Sequence, residues 1–295
     1  MSFRDRFQNL KETVSQWTDS TGGGSLDRKI ERNLAEMEGG TEIERTAAVK
    51  ALVIQAQTDD KWVDPIITSF LRVLPDQLAS PQEAIIDGLL ELRKVKVSRE
   101  EEIFESIQET LDSPYPSVRS KVVDIWTRFS LKSDAKTSDT IAVLFEMLSD
   151  DDKDVRYQTQ ESLSKILHTV PKVALPELRN AIGDDDWRVT YHSIVLLTEF
   201  AKKYPNPSVA LAPEVIEAFN SGERLKERAA DCIGMLGLAN PEAVKPAVPG
   251  LIKGLESKSS ELRKACATAL GRIGSKNGMV VYHAVPRLAR ALKND

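Results

Sequence analysis

The sequence predicts an all-α protein built as an α-solenoid, in which pairs of helices repeat along the chain. Apolar residues at offsets 0, 4, 8 and 11 recur at intervals of 32 to 38 residues. These offsets fall on one stripe of a helix with 3.6 residues per turn. No segment shows sustained alternation of apolar and polar residues, so no sheet is predicted. Helix pairs at this spacing bury their stripes against neighbouring pairs.

The repeated skeleton marks the second helix of each pair, which we call the B helix. Clear copies begin at Val118, Val155, Leu225 and Leu262, and looser copies begin at Ile43, Pro81 and Trp187. An A helix precedes each B helix, as in "TIAVLFEML" and "AVPGLIKGL". Prolines near the start of four A helices fit the first helical turn, where a missing N–H is tolerated: Pro65, Pro176, Pro249 and Pro286. Aspartates in the turns "SDDDKD" and "GDDD" can cap the B helices.

The segment "AVPGLIKGLESKSSELRKACATALGRIG" resembles a HEAT repeat of the phycobilisome-lyase-like type. The A-helix proline, the polar turn, the Leu-Arg pair and the small-residue B helix all match. "ALPELRNAIGDDDWRVTYHSIVLL" and "LFEMLSDDDKDVRYQTQESLSKI" match nearly as well. The resemblance covers about residues 26 to 293. It implies a right-handed superhelix of about seven HEAT-like helix pairs plus a terminal A helix, with partners bound on the concave B-helix side.

Composition and charge indicate a soluble globular chain. Its 295 residues are 41% hydrophobic and 29% charged, with a net charge of −5, which argues against a nucleic-acid partner. The two cysteines, Cys232 and Cys266, lie within apolar helical patterns and are predicted to be buried free thiols in a reducing cytosol. We find neither an apolar run near eighteen residues nor a secretory signal, so a cytoplasmic location is expected.

A row of basic residues follows the first apolar position of five B helices: Arg119, Arg156, Arg188, Lys226 and Arg263. They could form a ladder for an acidic ligand. Their strict register with the repeat favours a structural role, pairing with carboxylates of the turns. The basic run "LRKVKVSR" is interpreted as a solvated loop, because no aromatic residues are interleaved with it.

No motif for metal or catalytic chemistry was found. Asp150, Asp152, Asp154 and Glu161 have EF-hand spacing, but Val155 stands where that loop needs glycine. The three histidines lack a zinc-type cluster, and no HExxH, phosphate loop or GxSxG occurs. We therefore expect no enzyme activity, no cofactor and no metal. A HEAT-type enzyme acting on DNA bases or bilins is an alternative that comes from the resemblance alone.

A candidate partner-binding patch lies in the fifth repeat. Counted from Trp187, the positions opposite the predicted core include Val189, Leu196 and Phe200, and Tyr157 and His168 of the fourth repeat would form its rim. The alternative is that the shortened interval of 32 residues rotates this helix and buries the three apolar side chains.

The N-terminal stretch has a separate character. An amphipathic helix is predicted over residues 1–19, followed by a Gly-rich linker at 20–25 and the solenoid at 26–295. One narrow seam of about 80° holds its apolar residues: Phe3, Phe7, Leu10, Val14 and Trp17. This helix could cap the first repeat, dock on a partner protein or lie in a membrane interface.

The combined interpretation is a scaffold or adaptor that binds a protein of unknown identity through its B-helix face, with the N-terminal helix as a second docking element. The alternative is a peripheral membrane adaptor anchored by that helix. Oligomeric state, pathway and superhelix curvature do not follow from the sequence.

Overall fold

A computed structural model describes residues 25–131 and 137–294. These residues form helices and turns, with no strand among them. The chain divides into two compact units, Met1–Val122 and Val123–Asp295. No helix in the described part of the chain is long and apolar enough to cross a membrane.

The first unit contains five helices and the start of a sixth within its described residues. They are α1 (Ser25–Gly39), α2 (Glu42–Thr58), α3 (Val63–Val73), α4 (Ala79–Leu92), α5 (Glu100–Glu109) and α6 (Pro116–Ser130). A capping box begins α2, because Thr41 accepts from the Glu44 backbone N–H and Glu44 accepts from that of Thr41. Helix α2 packs on α1 and α4, so B helices of neighbouring repeats lie side by side.

Of the first two buried stripes predicted for B helices, one is confirmed and one is wrong. The stripe predicted from Pro81 is confirmed, since Pro81, Ile85, Leu89 and Leu92 are all buried in α4. The stripe predicted from Ile43 is wrong, because the Ile43 side chain is 83% exposed. Instead α2 buries a stripe on its opposite side, formed by Ala48, Val49, Leu52 and Ala56.

The second unit contains the remaining helices. They are α7 (Thr137–Glu146), α8 (Lys153–Thr169), α9 (Pro171–Ile182), α10 (Trp187–Lys203), α11 (Pro205–Val209), α12 (Ala212–Ser221), α13 (Glu223–Ala239), α14 (Pro241–Val244), α15 (Val248–Gly254), α16 (Ser260–Lys276) and α17 (Val285–Asn294). The B helices α8, α10, α13 and α16 pack side by side in that order, over a layer that includes α7, α9 and α12. This is the stacking that a helical repeat array requires.

The turns between A and B helices behave largely as predicted. Asp152 caps α8 by accepting from the backbone N–H groups of Asp154 and Val155, at 2.8 and 3.2 Å. Asp186 caps α10 by accepting from the backbone N–H of Arg188 at 2.8 Å. The predicted position of Pro176 in a first turn is wrong: α9 begins at Pro171, so Pro176 lies inside the helix.

The basic residues of the B helices have structural roles, which their register with the repeat favoured. Arg119, Arg156 and Arg263 donate to backbone carbonyls of the preceding turns, for example Arg119 to the Ser113 carbonyl oxygen at 2.6 Å and Arg263 to that of Ser257 at 3.1 Å. These donors satisfy carbonyl groups left unpaired where an A helix ends.

Two of the basic residues bind carboxylates in the turns or beside them. Arg188 donates to Asp186 at 2.9 Å and to Asp151 at 3.1 Å, and Lys226 pairs with Glu223. Since Asp151 belongs to the turn before α8, Arg188 links the turns of two neighbouring repeats.

The closest packing between B helices occurs where α13 meets α16. A Cβ added to Gly234 would lie 2.8 Å from the Ala269 Cα atom, so only glycine permits this approach. The two cysteines are buried free thiols in this region, as predicted. Burial raises the pKa of both thiols to about 12, which keeps them protonated at neutral pH.

Candidate functional site

The predicted patch in the fifth repeat is core rather than surface. Val189, Leu196 and Phe200 are each at most 3% exposed, so the candidate patch is wrong and the alternative, burial of these three side chains, is confirmed. The Phe200 ring packs against His168 and Tyr204, with centroids 5.7 and 4.8 Å away. The side chains that sequence analysis assigned to partner binding therefore hold α10 against its neighbours.

The physical reason is the register of α10. Trp187 is 43% exposed, and the buried stripe begins two residues later with Val189, Ser193, Leu197 and Phe200, at offsets 0, 4, 8 and 11. In this register Thr190 occupies the position of the repeat arginine. Its hydroxyl donates to the Asp184 carbonyl oxygen at 3.0 Å, which is the contact that Arg119 makes with Ser113.

The predicted rim residues have separate environments. Tyr157 is 66% exposed on α8. His168 is half-buried, and its Nδ1 donates to the Ser164 carbonyl oxygen at 2.7 Å. Of this pair, only His168 contacts Phe200 through its ring. Tyr157 remains available at the surface, but no apolar patch accompanies it at the predicted positions.

The surface that B helices of the second unit leave uncovered contains a shallow groove of about 220 Å³. We call it the B-helix groove, and it is lined by Val195, Thr198, Glu199, Lys202, Arg228, Asp231, Met235 and Arg272. These residues come from α10, α13 and α16. Because the three helices stack side by side, the groove runs across three consecutive repeats.

Charges in the B-helix groove are only partly paired. Lys202 forms a salt bridge with Glu199 at 2.6 Å. Arg228 donates through Nε to the Tyr191 hydroxyl at 3.0 Å, and this hydrogen bond raises the pKa of Arg228. Val195 and Met235 supply apolar atoms between the charged groups and are partly exposed.

Sequence reasoning missed the groove residues Arg228, Met235 and Arg272. Gly234 of α13 and Thr127 of α6 lie about opposite the predicted apolar stripes of their helices, yet both are buried. Gly234 is buried because the neighbouring B helix covers it: it packs against Ala269 of α16. The core stripe of α13 faces the A helices, so this contact buries a second side of the same helix. A B helix within the stack is buried on three sides, against the A helices and against the B helices before and after it. A periodicity analysis that allowed for all three sides would have predicted Arg228 and Met235 as exposed positions.

A larger groove of about 680 Å³ lies at the edge of the second unit, beside Trp187. It opens where α12 and α13 are joined by Gly222 alone, whereas the corresponding turn before α10 has four residues. Its carboxylates already have cationic partners in part, since Glu214 pairs with Arg179 at 3.1 Å and Glu223 pairs with Lys226.

The first unit presents exposed apolar side chains on α2. Ile43 and Ile54 are 83% and 65% exposed, and Ala47 and Ala51 lie on the same side of the helix. The predicted N-terminal residues Phe3, Phe7, Leu10, Val14 and Trp17 lie outside the described residues. Within the described ranges, no three His, Cys, Asp or Glu side chains are grouped to hold a metal ion.

His192 couples two B helices beside these surfaces. Its Nδ1 donates to the Gln160 side-chain oxygen of α8 at 2.7 Å. Burial lowers the pKa of His192 below its ordinary 6.5, and the nearby charge of Arg156 lowers it further. Protonation is therefore disfavoured in the folded state relative to the unfolded chain.

This shift predicts a pH dependence of stability. Below pH 6.5 the unfolded chain binds the His192 proton more readily, so the contribution of His192 to stability is full above that pH and is lost as the pH falls below it. We expect the melting temperature to fall more between pH 7.5 and 5.5 in the wild type than in His192→Gln, measured by thermal unfolding. Equal falls in the two proteins would contradict this assignment.

Comparisons with known proteins agree with the architecture. A model of HEAT repeats matches residues 104–198, and a model of a HEAT-like repeat matches residues 223–273. Together with the stacked helix pairs, these matches identify the fold as a HEAT-repeat α-solenoid. The phycobilisome-lyase subtype is not specifically matched. No curated protein matches the sequence.

Among solved structures, Kap121p bound to Pho4p has a TM-score of 0.60 and 14% identity, covering 99% of this chain and 36% of that one. Kap121p bound to RanGTP has a TM-score of 0.60 and 16% identity, with 95% and 35% covered. Importin beta in an ammonium sulfate condition has a TM-score of 0.55 and 16% identity, with 89% and 38% covered. The chain thus spans about a third of the length of these proteins, and the likeness concerns the fold alone.

Proposed function

We propose that this chain is a non-catalytic scaffold or adaptor that binds a protein partner through the B-helix groove. The observation that carries the proposal is the groove itself, which crosses three stacked helices and mixes apolar atoms with incompletely paired arginines. Arginine, methionine and tyrosine are enriched in protein interfaces. Val195 and Met235 supply apolar contact, and Arg228 supplies directional donors.

Two further considerations support a protein as the partner. HEAT-repeat solenoids typically mediate protein–protein interactions, and the solved Kap121p structures include complexes with Pho4p and with RanGTP. The B helices also stack side by side in order, so an extended or helical segment of a partner could lie along the groove and contact several repeats.

A paired substitution tests this proposal. We expect Val195→Glu combined with Met235→Glu to abolish capture of the partner, because two carboxylates would stand in the apolar part of the groove. Lys172→Glu is the matched control, since Lys172 is exposed on the A helix α9. Tagged wild-type and variant proteins are compared by quantitative affinity capture from a lysate, with thermal unfolding to verify folding.

The informative result is a difference between variants. A protein retained by the wild type and by Lys172→Glu, but lost with the double variant, supports the B-helix groove. Equal capture by a folded double variant would contradict the proposal.

We also propose the N-terminal residues 1–19 as a second docking element, with a membrane anchor as the alternative. The support is the apolar seam that runs from Phe3 to Trp17. Co-sedimentation of the full chain and of a chain beginning at Leu26 with neutral and anionic liposomes separates the two. If the full chain alone pellets with lipid, the segment is an anchor. If neither pellets, the segment is a cap or a docking element, and a pull-down with the same two proteins separates these two roles.

A further inference from the structure

Helix α2 has an apolar stripe that the described residues leave largely uncovered. Its members stand at offsets 0, 4, 8 and 11, the same offsets that are buried in α13 and α16. We call them the α2 stripe: Ile43, Ala47, Ala51 and Ile54. The two isoleucines are 83% and 65% exposed, and the four residues fall within an arc of about 80°. Large apolar side chains exposed together on one face mark a contact surface.

The α2 stripe faces away from the two helices that pack most closely on α2. Val53 faces α4, where it lies beside Gly88, and Gln55 accepts from the Asn33 side chain of α1 at 3.2 Å. At 100° per residue, Val53 and Gln55 lie about 115° and 85° from the middle of the stripe, in opposite directions. Helices α1 and α4 therefore leave the stripe to a further element. Helix α2 is the first B helix of the described array, and a terminal repeat needs such a cap.

The residues that precede α1 can reach the α2 stripe. Helix α1 begins at Ser25, and Asp27 in its first turn pairs at 3.2 Å with Lys61, just beyond the end of α2. The chain therefore enters α1 beside the C-terminal end of α2. Six Cα–Cα steps join residue 19 to Ser25 and extend to about 20 Å. A helix on the other side of α2 from α1 lies at most two interaxial distances away, about 16–20 Å.

The predicted helix at 1–19 and the α2 stripe have complementary shapes. Both apolar faces span an arc of about 80°. At 1.5 Å per residue, the face from Phe3 to Trp17 is about 21 Å long and the stripe is about 17 Å long. Because the tether joins the C-terminal ends of the two helices, they run in the same direction. Phe7 and Leu10 then lie over Ala47 and Ala51, so large side chains face small ones between the two isoleucines.

Charges favour the same direction. The parallel arrangement places Arg4 and Arg6 beside Glu42 and Glu44, which are exposed in the first turn of α2. The reverse arrangement would bring Asp19 to these two carboxylates. Each exposed pair contributes less than about 1 kcal/mol, so the charges orient the segment more than they hold it.

A tethered segment fits this stripe better than a separate chain does. Stable association of two chains buries about 1,200 Å² or more, which two isoleucines and two alanines do not supply. A short flexible tether instead gives an effective concentration in the millimolar range. We propose that residues 1–19 dock on the α2 stripe of their own chain when no partner holds them. This inference rests on the second docking element proposed above and names the surface that the element binds at rest.

Labelling of one introduced thiol tests the inference in the full chain. Ala47→Cys places a thiol within the α2 stripe, where it is expected to react slowly with a maleimide because residues 1–19 cover it. The native Cys232 and Cys266 do not react, since both are buried and burial raises the pKa of each thiol to about 12.

Substitutions in the apolar seam should uncover this thiol. Adding Phe7→Asp with Val14→Asp to Ala47→Cys is expected to raise the labelling rate about tenfold, as for a tethered contact formed nine tenths of the time. A synthetic peptide of residues 1–19, added at millimolar concentration to this triple variant, is expected to restore slow labelling. The same peptide with both aspartates is expected to have no effect.

Two controls isolate the contact. Gln8→Asp with Gln16→Asp adds the same two charges outside the seam and is expected to change the rate at Ala47→Cys by less than about twofold. Gln108→Cys places a thiol on the exposed side of α5 instead. It is expected to be labelled at equal rates with and without the seam substitutions.

The inference is overturned if the seam substitutions leave the labelling rate at Ala47→Cys unchanged. It is also overturned if protection disappears as the protein is diluted, because a second copy would then cover the stripe. Neither result bears on capture of a partner at the B-helix groove, which Val195→Glu with Met235→Glu tests separately. If the rate is unchanged while the full chain alone pellets with liposomes, residues 1–19 bind lipid and have no site on α2.

Discussion

Replacing Phe200 by alanine is expected to destabilise the protein by about 3–5 kcal/mol, the range for removing a buried phenylalanine. Phe200 is 1% exposed and contacts His168 and Tyr204 through its ring. The substitution would leave a cavity between α10 and its neighbours. Denaturant unfolding monitored by circular dichroism measures the change in the free energy of unfolding.

Tyr157→Ala provides the comparison for Phe200. Tyr157 is 66% exposed, so its removal is expected to change stability by less than about 0.5 kcal/mol. The two residues were predicted to share one surface patch, and this pair of measurements separates core from surface. An equally small loss of stability in Phe200→Ala would indicate that Phe200 is exposed, as the patch prediction required, and would contradict the register of α10.

Gly234→Ala is expected to destabilise the protein by about 1–3 kcal/mol, although alanine is the better helix former. The new Cβ would lie 2.8 Å from the Ala269 Cα atom and 3.2 Å from its Cβ atom. The Ala269 Cα atom belongs to the backbone and cannot move by a change of rotamer, so α13 and α16 would have to separate. Thermal or denaturant unfolding measures this loss of stability.

Gly271→Ala is the matched control, because it also lies within a B helix but has nothing within 4 Å of an added Cβ. It is expected to stabilise the protein by about 0.5–1 kcal/mol through helix propensity. Opposite signs at the two glycines would show that close contact between B helices holds the second unit together. Stabilisation at both positions would contradict that packing.

Much of the fold followed from the sequence because a repeat gives the same signal several times. The stripes beginning at Val118, Val155, Leu225 and Leu262 reinforce one another, and all four first residues are buried. Aspartate capping of α8 and α10 was also predictable, since Asp152 and Asp186 stand in polar turns directly before an apolar pattern.

Register was the weak step where the repeat is irregular. Trp187 is apolar and is followed by arginine, so it matches the first two positions of the repeated pattern. In the structure, Val189 takes the first, buried position and Thr190 takes the position of the arginine. A threonine hydroxyl can replace the arginine contact, and an arginine-based pattern does not reveal this. Ile43 fails similarly, because the stripe it begins lies on the exposed side of α2.

The candidate site could not be predicted for a related reason. Arg228, Met235 and Arg272 line one groove only when α10, α13 and α16 are stacked. Sequence periodicity describes one helix at a time. It does not state which faces of neighbouring helices combine into a groove.

Site-specific photocrosslinking shows whether a protein binds at the B-helix groove. A benzophenone side chain is placed at Val195, inside the groove, or at Lys172, on the exposed side of α9. After irradiation in a lysate, we expect a discrete crosslinked protein from position 195 that is absent from position 172 and is suppressed by Met235→Glu. Crosslinking from position 172 alone, or from position 195 without any effect of Met235→Glu, would contradict it.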